Sequence, residues 1–375
     1  MSLREKLFPE NRLGLDRFWN FSRGGIDNFR TGLRDAVSGV EQTRSRMMEY
    51  DQLLVWAVLS LMLIGLVMVY SASITLADGP KYANYSSNFF LIRHLISLAI
   101  AISVGIWAFK IPSKVWDRYS PVIFGFTVIL LIAVLIPGIG KGVNGAKRWI
   151  PLGVMNFQPS ELMKFAAVIF AASYTVQRQE YLHSFSKGML PMGIAVALVG
   201  GLLMKEPDMG AFVVVALIAF GILFLGGINA KLFGGLIVVG LLSGAAMIAL
   251  SPFRRGRMLA FMDPWQAENA ANKGYQLTHS LMAFGRGEWF GTGLGGSVEK
   301  LHYLPEAHTD FIMAVIGEEL GFVGVVVMIF LFYWIVRRAF MIGRTALQLD
   351  RSFAGLAAKG VAIWIGWQAF INMGV

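Results

Sequence analysis

Long apolar runs alternate with short polar segments along the chain from residue 53 onward. Each run approaches the roughly 20 residues that a helix needs to cross a bilayer. The runs are continuously apolar, whereas the strands of a membrane barrel alternate apolar and polar residues, so we expect helices. The pattern predicts an all-α polytopic membrane protein with nine transmembrane helices. These helices are expected over residues 53–70, 90–109, 121–136, 162–176, 190–204, 209–226, 232–250, 311–336 and 360–375.

The composition agrees with a lipid environment for most of the chain. Of its 375 residues, 56% are hydrophobic and 15% are charged, and the mean hydropathy is +0.60. Soluble domains usually carry about 25% charged residues. Residues 1–50 are polar and basic, so we expect a disordered cytoplasmic tail there. Residues 51–375 are expected to form the transmembrane domain.

The positive charges indicate the orientation of the helices. With the tail inside, the cytoplasmic connections carry many Lys and Arg residues, as the positive-inside rule requires. We place these connections at residues 110–120, 177–189, 227–231 and 337–359.

Two loops expected on the outer face, 137–160 and 251–309, are also basic. The second is a large extracytoplasmic loop between the seventh and eighth helices, and long loops translocate regardless of charge. Alternatively, the outer face handles an anion such as a phosphate or diphosphate. Both explanations stay open. The net charge of +10 is spread over loops between membrane helices, which favours anionic lipid over nucleic acid as the partner.

The sequence excludes several kinds of site chemistry. The absence of cysteine excludes disulfides, thiolate catalysis and cysteine-ligated metals. The chain has no Walker loop and no HExxH motif, and its GTGLGG stretch (291–296) lacks the context of a dinucleotide site. The five histidines do not have zinc-ligand spacing. No cofactor is therefore assigned, although carboxylates and water could hold Mg²⁺ or Mn²⁺.

Two charges lie three residues apart at the start of an expected membrane helix. Glu161 and Lys164 share one helix face, and Ser160 is expected to cap this helix. A charge at that depth is costly unless it is paired or faces a cavity. Two interpretations follow: a mutual salt bridge that fixes two helices, or a polar cavity that both side chains line.

Two arginines lie at expected membrane boundaries. Arg93 is near the outer start of the second helix, where it could snorkel to headgroups or face a cavity. Arg148 lies beside Trp149 and suits a headgroup or a substrate phosphate.

The sequence KEPDMG (205–210) joins two apolar runs with almost no loop. Pro207 excludes a continuous regular helix. Asp208 is placed to cap the following helix, or to point into a central cavity.

The stretch LHYLPEAHTDFIMAVIGEELG carries several ionisable groups where a membrane helix begins. Asp310 could cap this helix, or it could act as a general base if its pKa is raised. Glu306 and His308 are loop neighbours that could tune it. On a regular helix, Glu318 lies on broadly the same side as Asp310, with no partner that the sequence identifies. Glu319 is expected to serve packing only.

Six motifs, taken in order, resemble the SEDS family of bacterial cell-wall polymerases (shape, elongation, division and sporulation). The resemblance spans nearly the whole chain from the first helix onward. The long tail and the form of residues 297–312 are more similar to the division-specific member of the family than to its elongation relative. The motifs are VMVYSAS (67–73), GVNGAKRWIPLG (142–153), FQPSELMK (157–164), EPDMG (206–210), GYQLTHSLMAFGRGEWFGTGLGGS (274–297) and LPEAHTDFIMAVIGEELG (304–321).

The resemblance implies a peptidoglycan glycosyltransferase that joins lipid II units into glycan strands on the outer face of the bacterial inner membrane, at the division septum. Asp310 falls on the family's essential aspartate and would be the general base. The family's cavity carries over to Arg93, Arg148, Glu161 and Lys164, whose cations would stabilise the leaving diphosphate. The implied partners are a class B penicillin-binding protein, which is a transpeptidase, and other divisome proteins.

The chain departs from the family pattern in two places. Some relatives carry a basic residue just before the FQPSE segment, where this chain has Asn156. The chain also ends at FINMGV, whereas the family continues to a tenth helix, so we expect a C-terminally truncated sequence.

Two other functions are consistent with the same residues. A flippase for a lipid-linked precursor would also need intramembrane charges and a central cavity. A non-catalytic divisome scaffold would need neither intramembrane charges nor a central cavity. The inner halves of most expected helices are uncharged. This favours the enzyme, because a flippase needs polar groups along the full depth of the membrane.

Overall fold

The computed structural model describes residues 50–78, 86, 88–143, 146–151 and 156–374. Residues 56–375 form one compact unit. All but Tyr50 of the predicted N-terminal tail lies outside the described residues.

α-Helices account for most of the described chain, and short 3₁₀ or π turns occur at Ile74–Asp78, Gln179–Tyr181 and Phe185–Met189. Three short strands precede α4. The helices are α1 Gln52–Ser73, α2 Phe89–Phe109, α3 Ser113–Leu135, α4 Pro159–Gln177, α5 Leu190–Lys205, α6 Met209–Leu225, α7 Ala230–Ala249, α8 Pro252–Met262, α9 Ala267–Ala271, α10 Tyr275–Gly287, α11 Ile312–Gln348 and α12 Ser352–Met373. The strands are β1 Lys141–Val143, β2 Ala146–Pro151 and β3 Asn156–Phe157.

The prediction of a helical multi-pass membrane protein is confirmed. Each of the nine predicted apolar runs falls on a helix. Within the described residues, seven segments are long and apolar enough to cross a membrane; they contain α1, α2, α3, α5, α7, α11 and α12. The other two predicted runs correspond to α4 and α6, and α6 is apolar but has only 17 residues.

The helices α4 and α6 form the centre of the bundle. Their buried side chains make up much of one apolar core, which α3, α5 and α12 complete. Many of the buried residues of α4 are Ala or Ser, and small residues allow membrane helices to approach closely. By contrast, neither α2 nor α7 has a buried residue, so both lie at the periphery.

Several predicted boundaries are wrong. The cytoplasmic connections expected at 110–120 and 337–359 are mostly helical, because α3 begins at Ser113 and α11 continues to Gln348. A boundary predicted from hydropathy falls at the first charged residues. The helical hydrogen bonds continue past these residues into the polar layer. Pro121 therefore lies inside α3 instead of starting it.

The two segments predicted for the outer face are more regular than expected. The segment predicted as an irregular loop at 137–160 contains an antiparallel sheet in the order β1–β2–β3. The predicted large loop contains α8, α9 and α10. Ser160 does not cap α4, whose first residue is Pro159 and whose cap position is occupied by Gln158.

The helix α11 is interrupted at Gly321, which has φ 68° and ψ −166°. This break frees the carbonyl groups of the preceding turn. The carbonyl of Glu318 accepts a hydrogen bond from the backbone N–H of Thr292 (2.9 Å), and that of Glu319 accepts one from Gly293 (3.1 Å). The loop that follows α10 therefore replaces the missing helical donors.

The amide groups beyond the break are satisfied by the same loop. Phe322 donates to the carbonyl of Glu288 (2.9 Å), and Val323 donates to that of Trp289 (3.2 Å). Non-helical backbone at membrane depth is tolerated only where protein or a water-filled cavity satisfies it. The interrupted helix and the loop 288–293 therefore depend on each other.

Gly321 should be irreplaceable at the break. Its dihedral angles lie in a region that only glycine occupies readily, at a cost of order 1–3 kcal/mol for other residues. An added Cβ would also meet the backbone of Trp289, Phe290 and Gly291. We expect Gly321→Ala to lower the unfolding free energy by at least about 1–3 kcal/mol, measured as a lower thermal midpoint of the purified protein.

Gly65→Ala is the matched control, because Gly65 lies within α1 and an added Cβ there has nothing within 4 Å. Its midpoint should be unchanged or slightly higher. Equal midpoints for the two variants would contradict the role given to Gly321.

Candidate functional site

Asp310 lies in a tight turn immediately before α11. The carbonyl of Glu306 accepts hydrogen bonds from the backbone N–H groups of Thr309 (3.1 Å) and Phe311 (3.3 Å), and Glu306 itself has a positive φ of 56°. The cap position of α11 is Phe311, and no side chain caps the helix. The capping role considered for Asp310 is therefore wrong, and its carboxyl is left for other chemistry.

A cavity of about 420 Å³ opens beside Asp310 between α11 and α12. Its polar groups include Asp310, Gln368 and Asn372, and the rest of its lining is mostly apolar. The apolar part of the lining includes Ile316 and Phe332 of α11. A polar cavity was expected from the sequence around Arg93, Arg148, Glu161 and Lys164; none of them lines this cavity, so that expectation stays a prediction.

Burial is the main cause that raises the pKa of the Asp310 carboxyl above its ordinary value. The negative charge of Glu306 raises this pKa further. The charges of Arg148 and His308 oppose the shift by favouring the carboxylate. Four of the residues predicted for the site are thus close enough to influence one another. The ring of His308 also packs edge-on against Phe90 of α2, with 5.3 Å between ring centroids.

Arg148 projects from β2 to the connection between α5 and α6. Its Nε donates to the carbonyl of Glu206 (3.1 Å), and its Nη2 donates to the carbonyl of Pro207. Backbone carbonyls carry no net charge, so they hold the guanidinium in place without neutralising it. The predicted break in the helix at Pro207 is confirmed, since α5 ends at Lys205 and α6 begins at Met209.

Asp208 caps α6, as one of the two interpretations predicted. Its side chain accepts a hydrogen bond from the backbone N–H of Ala211 (3.2 Å) and others from Gln158 Nε2 (3.3 Å) and Ser160 Oγ (3.1 Å). The carboxyl is buried and links the start of α4 to the start of α6. A substrate contact by Asp208 stays a prediction.

The predicted salt bridge between Lys164 and Glu161 is confirmed. Lys164 Nζ lies 2.7 Å from Glu161 Oε1, and the lysine side chain is almost fully buried whereas that of Glu161 is 46% exposed. Lys164 Nζ also donates to Gln368 Oε1 (3.1 Å), and that same oxygen accepts a hydrogen bond from Trp364 Nε1 (2.6 Å). Because Gln368 lines the cavity beside Asp310, Lys164 reaches the cavity wall through it.

Arg93 stands apart from this group. Its side chain is exposed on α2 and makes no hydrogen bond or ion pair with the residues that the structure describes. It is also absent from the charges that shift the pKa of Asp310. Its predicted contribution to substrate binding stays a prediction.

Glu318 has partners that the sequence did not identify. Its carboxylate accepts hydrogen bonds from Ser297 Oγ (2.5 Å) and from the backbone N–H groups of Val298 (2.9 Å) and Glu299 (3.3 Å). Arg286 Nε lies 3.7 Å away. Glu318 does not line the cavity, so the expectation that it shares a side with Asp310 has no functional consequence.

Glu319 is not a packing residue, and that prediction is wrong. Its Oε1 lies 2.6 Å from Lys300 Nζ, and both side chains are buried. Ser71 Oγ of α1 donates to the same carboxylate at 2.8 Å. No sequence pattern indicates this pair, because Lys300 lies in a polar segment that would ordinarily be exposed.

Glu206 is a buried residue that sequence analysis missed. Its carboxyl group is fully buried, and neither oxygen has a hydrogen-bond partner among the described residues. Burial is the main cause that raises its pKa to about 8, and the charge of Asp208 adds to this whereas that of Arg148 opposes it. At neutral pH Glu206 therefore carries a proton and does not neutralise the charge of Arg148.

The carboxylates do not fit a dedicated metal site. Across the described ranges, no three His, Cys, Asp or Glu side chains lie together in a way that could hold an ion. No role for Mg²⁺ or Mn²⁺ is assigned on this basis.

A family model for FtsW, RodA and SpoVE, described as a cell cycle protein, matches residues 52–375. The chain belongs to this family. One relative, "Probable peptidoglycan glycosyltransferase FtsW" of Polynucleobacter necessarius subsp. necessarius (strain STIR1), is 94% identical over all of this chain and 89% of the relative. The protein of the same name from Burkholderia thailandensis is 62% identical over 92% of this chain and 74% of the relative.

Solved structures share the fold. A chain from a study described as "Structural coordination of polymerization and crosslinking by a peptidoglycan synthase complex" has a TM-score of 0.67 and 25% identity, covering 87% of each chain. The rod shape determining protein RodA of Thermus thermophilus has a TM-score of 0.59 and 24% identity, covering 87% of this chain and 85% of that one.

Glu206 should make the stability of the protein depend on pH. The folded state holds its proton up to about pH 8, whereas the unfolded state releases it near the ordinary value of 4.5. Between these values the folded state binds more protons, so its stability should fall as pH rises, by up to about 1.4 kcal/mol per pH unit. Glu206→Gln cannot ionise, so we expect a flatter profile of thermal midpoint against pH, with its largest advantage over wild type near pH 8.

The exposed residue Glu268 supplies the control, because Glu268→Gln should leave the wild-type profile unchanged. A Glu206→Gln profile as steep as that of wild type would show that Glu206 is ionised in the folded protein.

Proposed function

We infer that this chain is a peptidoglycan glycosyltransferase that polymerises lipid II into glycan strands. The observation that carries this inference is the 94% identity, over the whole chain and most of the relative, to a protein with that activity in its name. The geometry agrees, because a carboxyl whose pKa is raised lies at the opening of a cavity, with two held cations nearby.

We propose that nine helices cross the bacterial inner membrane with the N-terminus in the cytoplasm. The seven segments that are long and apolar enough support this, as does the central position of α4 and α6 between them. This arrangement places the sheet, the turn with Asp310 and the segment 251–309 on the outer face. Residues 51–375 would then form one transmembrane domain behind the tail 1–50.

In the proposed reaction, Asp310 takes the proton from the C4 hydroxyl of the acceptor sugar. The hydroxyl oxygen forms a bond to the anomeric carbon of the donor sugar, on the face opposite the diphosphate. The bond from that carbon to the diphosphate oxygen breaks with inversion, and the lipid diphosphate leaves with the electron pair. The raised pKa supports this role, since a carboxylate with a higher pKa is a stronger base.

The cations near Asp310 suit the leaving group. Arg148 is held by neutral carbonyls beside a protonated Glu206, so its charge is available to the diphosphate. Lys164 is partly neutralised by Glu161 and acts on the cavity wall through Gln368. We propose that Asp208 contributes indirectly, by fixing the hairpin that holds Arg148.

We propose a role in septal wall synthesis together with a class B penicillin-binding protein and other divisome proteins. The structural neighbour from a study of polymerisation and crosslinking by a peptidoglycan synthase complex supports a crosslinking partner. The peripheral helices α2 and α7 have no buried residues and offer surface for such contacts.

Removing the proposed base tests the mechanism. Asp310→Asn keeps the size of the side chain but cannot accept the proton at neutral pH. We expect lipid II polymerisation by the purified protein with its transpeptidase partner to fall by roughly 10²- to 10⁴-fold, which is the usual contribution of a general base. The thermal midpoint and partner binding should be retained, because Asp310 does not cap α11 and forms no ion pair with another described residue.

Asp263→Asn is the matched control, since Asp263 is an exposed aspartate in the same outer segment. It should polymerise at the wild-type rate. Normal glycan product from Asp310→Asn would overturn the general-base assignment. Labelled lipid II that crosses vesicles without being polymerised would support a flippase.

A further inference from the structure

The helix α8 begins directly where a membrane-spanning helix ends. α7 is long and apolar enough to cross the bilayer and ends at Ala249, and α8 starts at Pro252. Three Cα–Cα steps of about 3.8 Å join these residues, so α8 starts within roughly 11 Å of the end of α7. Ser251 Oγ accepts a hydrogen bond from the backbone N–H of Arg254 (3.5 Å), which fixes the turn between the two helices.

The second half of α8 and the residues after it expose large apolar side chains. Met258, Leu259, Phe261, Met262 and Trp265 are each between 49% and 72% exposed. Leaving apolar surface in water is unfavourable in proportion to its area. Clustered exposure of this kind marks a surface that something covers.

The first turn of α8 is basic. Arg254 and Arg255 lie there, and the sequence PFRRGRMLAFM contains no acidic residue. Arg254 Nη1 donates to the carbonyl of Met247 in the last turn of α7 (3.3 Å), so this guanidinium is held at the end of the membrane span. Arg255 is exposed.

Helical spacing places the charged and apolar groups on one side. Arg254, Met258 and Met262 follow each other at intervals of four residues. Ala260 lies elsewhere on the helix and is buried. The side that faces away from the protein therefore carries arginines near α7 and apolar groups farther along.

We propose that α8 lies in the headgroup layer of the bilayer as an interfacial helix and binds anionic phospholipid, such as phosphatidylglycerol. Met258, Phe261 and Met262 would enter the upper acyl region, and Arg254 and Arg255 would contact lipid phosphates. Interfacial helices combine these features, and each basic residue near an anionic surface adds to the attraction.

Lipid fits this surface better than a partner protein for two reasons. The surface is continuous with α7, which is long and apolar enough to cross the bilayer and has no buried residue. The arginines lie at the end of the span, which is the depth of the phosphate groups. A partner protein would cover the apolar groups but would not explain why the arginines lie at that depth.

The chain has no cysteine, so a single introduced cysteine carries a spin label without background. Met262→Cys reports on α8, and Glu268→Cys, at an exposed position of the same outer segment, is the control. The purified chain is placed in nanodiscs of phosphatidylcholine, with or without phosphatidylglycerol. The measured quantity is the ratio of oxygen to nickel-chelate accessibility of the label.

We expect this ratio to be several-fold higher at position 262 than at 268, and to rise further with phosphatidylglycerol. The rise should disappear in an Arg254→Gln/Arg255→Gln background. Equal ratios at the two positions would overturn the proposal and leave α8 as a surface for a partner protein. A high ratio at 262 that changes neither with phosphatidylglycerol nor with the arginine substitutions would overturn the assignment of an anionic lipid.

Discussion

The candidate site depends on a buried ion pair between Lys300 and Glu319. Burying two charges is costly unless close geometry and further hydrogen bonds compensate, and here Nζ lies 2.6 Å from Oε1 with Ser71 Oγ also bonded to the carboxylate. Lys300 precedes the turn that carries Asp310, and Glu319 follows it along α11. The ion pair therefore joins the two ends of the segment 300–319, which contains Asp310. Neighbouring Glu318 strengthens the closure by accepting three hydrogen bonds from residues 297–299.

The break at Gly321 belongs to the same arrangement. It exposes backbone groups at membrane depth, and the loop 288–293 supplies their partners. The site thus combines a rigid frame with a carboxyl that burial and Glu306 keep basic. On the other side of the site, Arg148 is held by neutral carbonyls beside the protonated Glu206. The charge of Arg148 lowers the pKa of Asp310, but burial and Glu306 raise it more.

Sequence reasoning predicted the helices well, because a long apolar run has few alternatives in a membrane. It also predicted the cap at Asp208 and the salt bridge between Glu161 and Lys164, since both are local contacts within four residues. It failed where contacts join distant segments. The pairing of Lys300 with Glu319 depends on how the loop returns to α11, which no periodicity reveals. The role proposed for Asp310 came from the family motif. The buried carboxyl of Glu206, which has no hydrogen-bond partner among the described residues, became visible only when its surroundings were known.

A double-mutant cycle on the ion pair tests this account most directly. Lys300→Met, Glu319→Leu and the double variant are compared with wild type by thermal unfolding and by lipid II polymerisation. Each single variant leaves one buried charge unpaired, so both should lose stability, by about 3–5 kcal/mol, together with activity. The apolar pair in the double variant should restore much of the stability. Single variants that behave as wild type, or losses that simply add in the double variant, would contradict the dependence of the site on this pair.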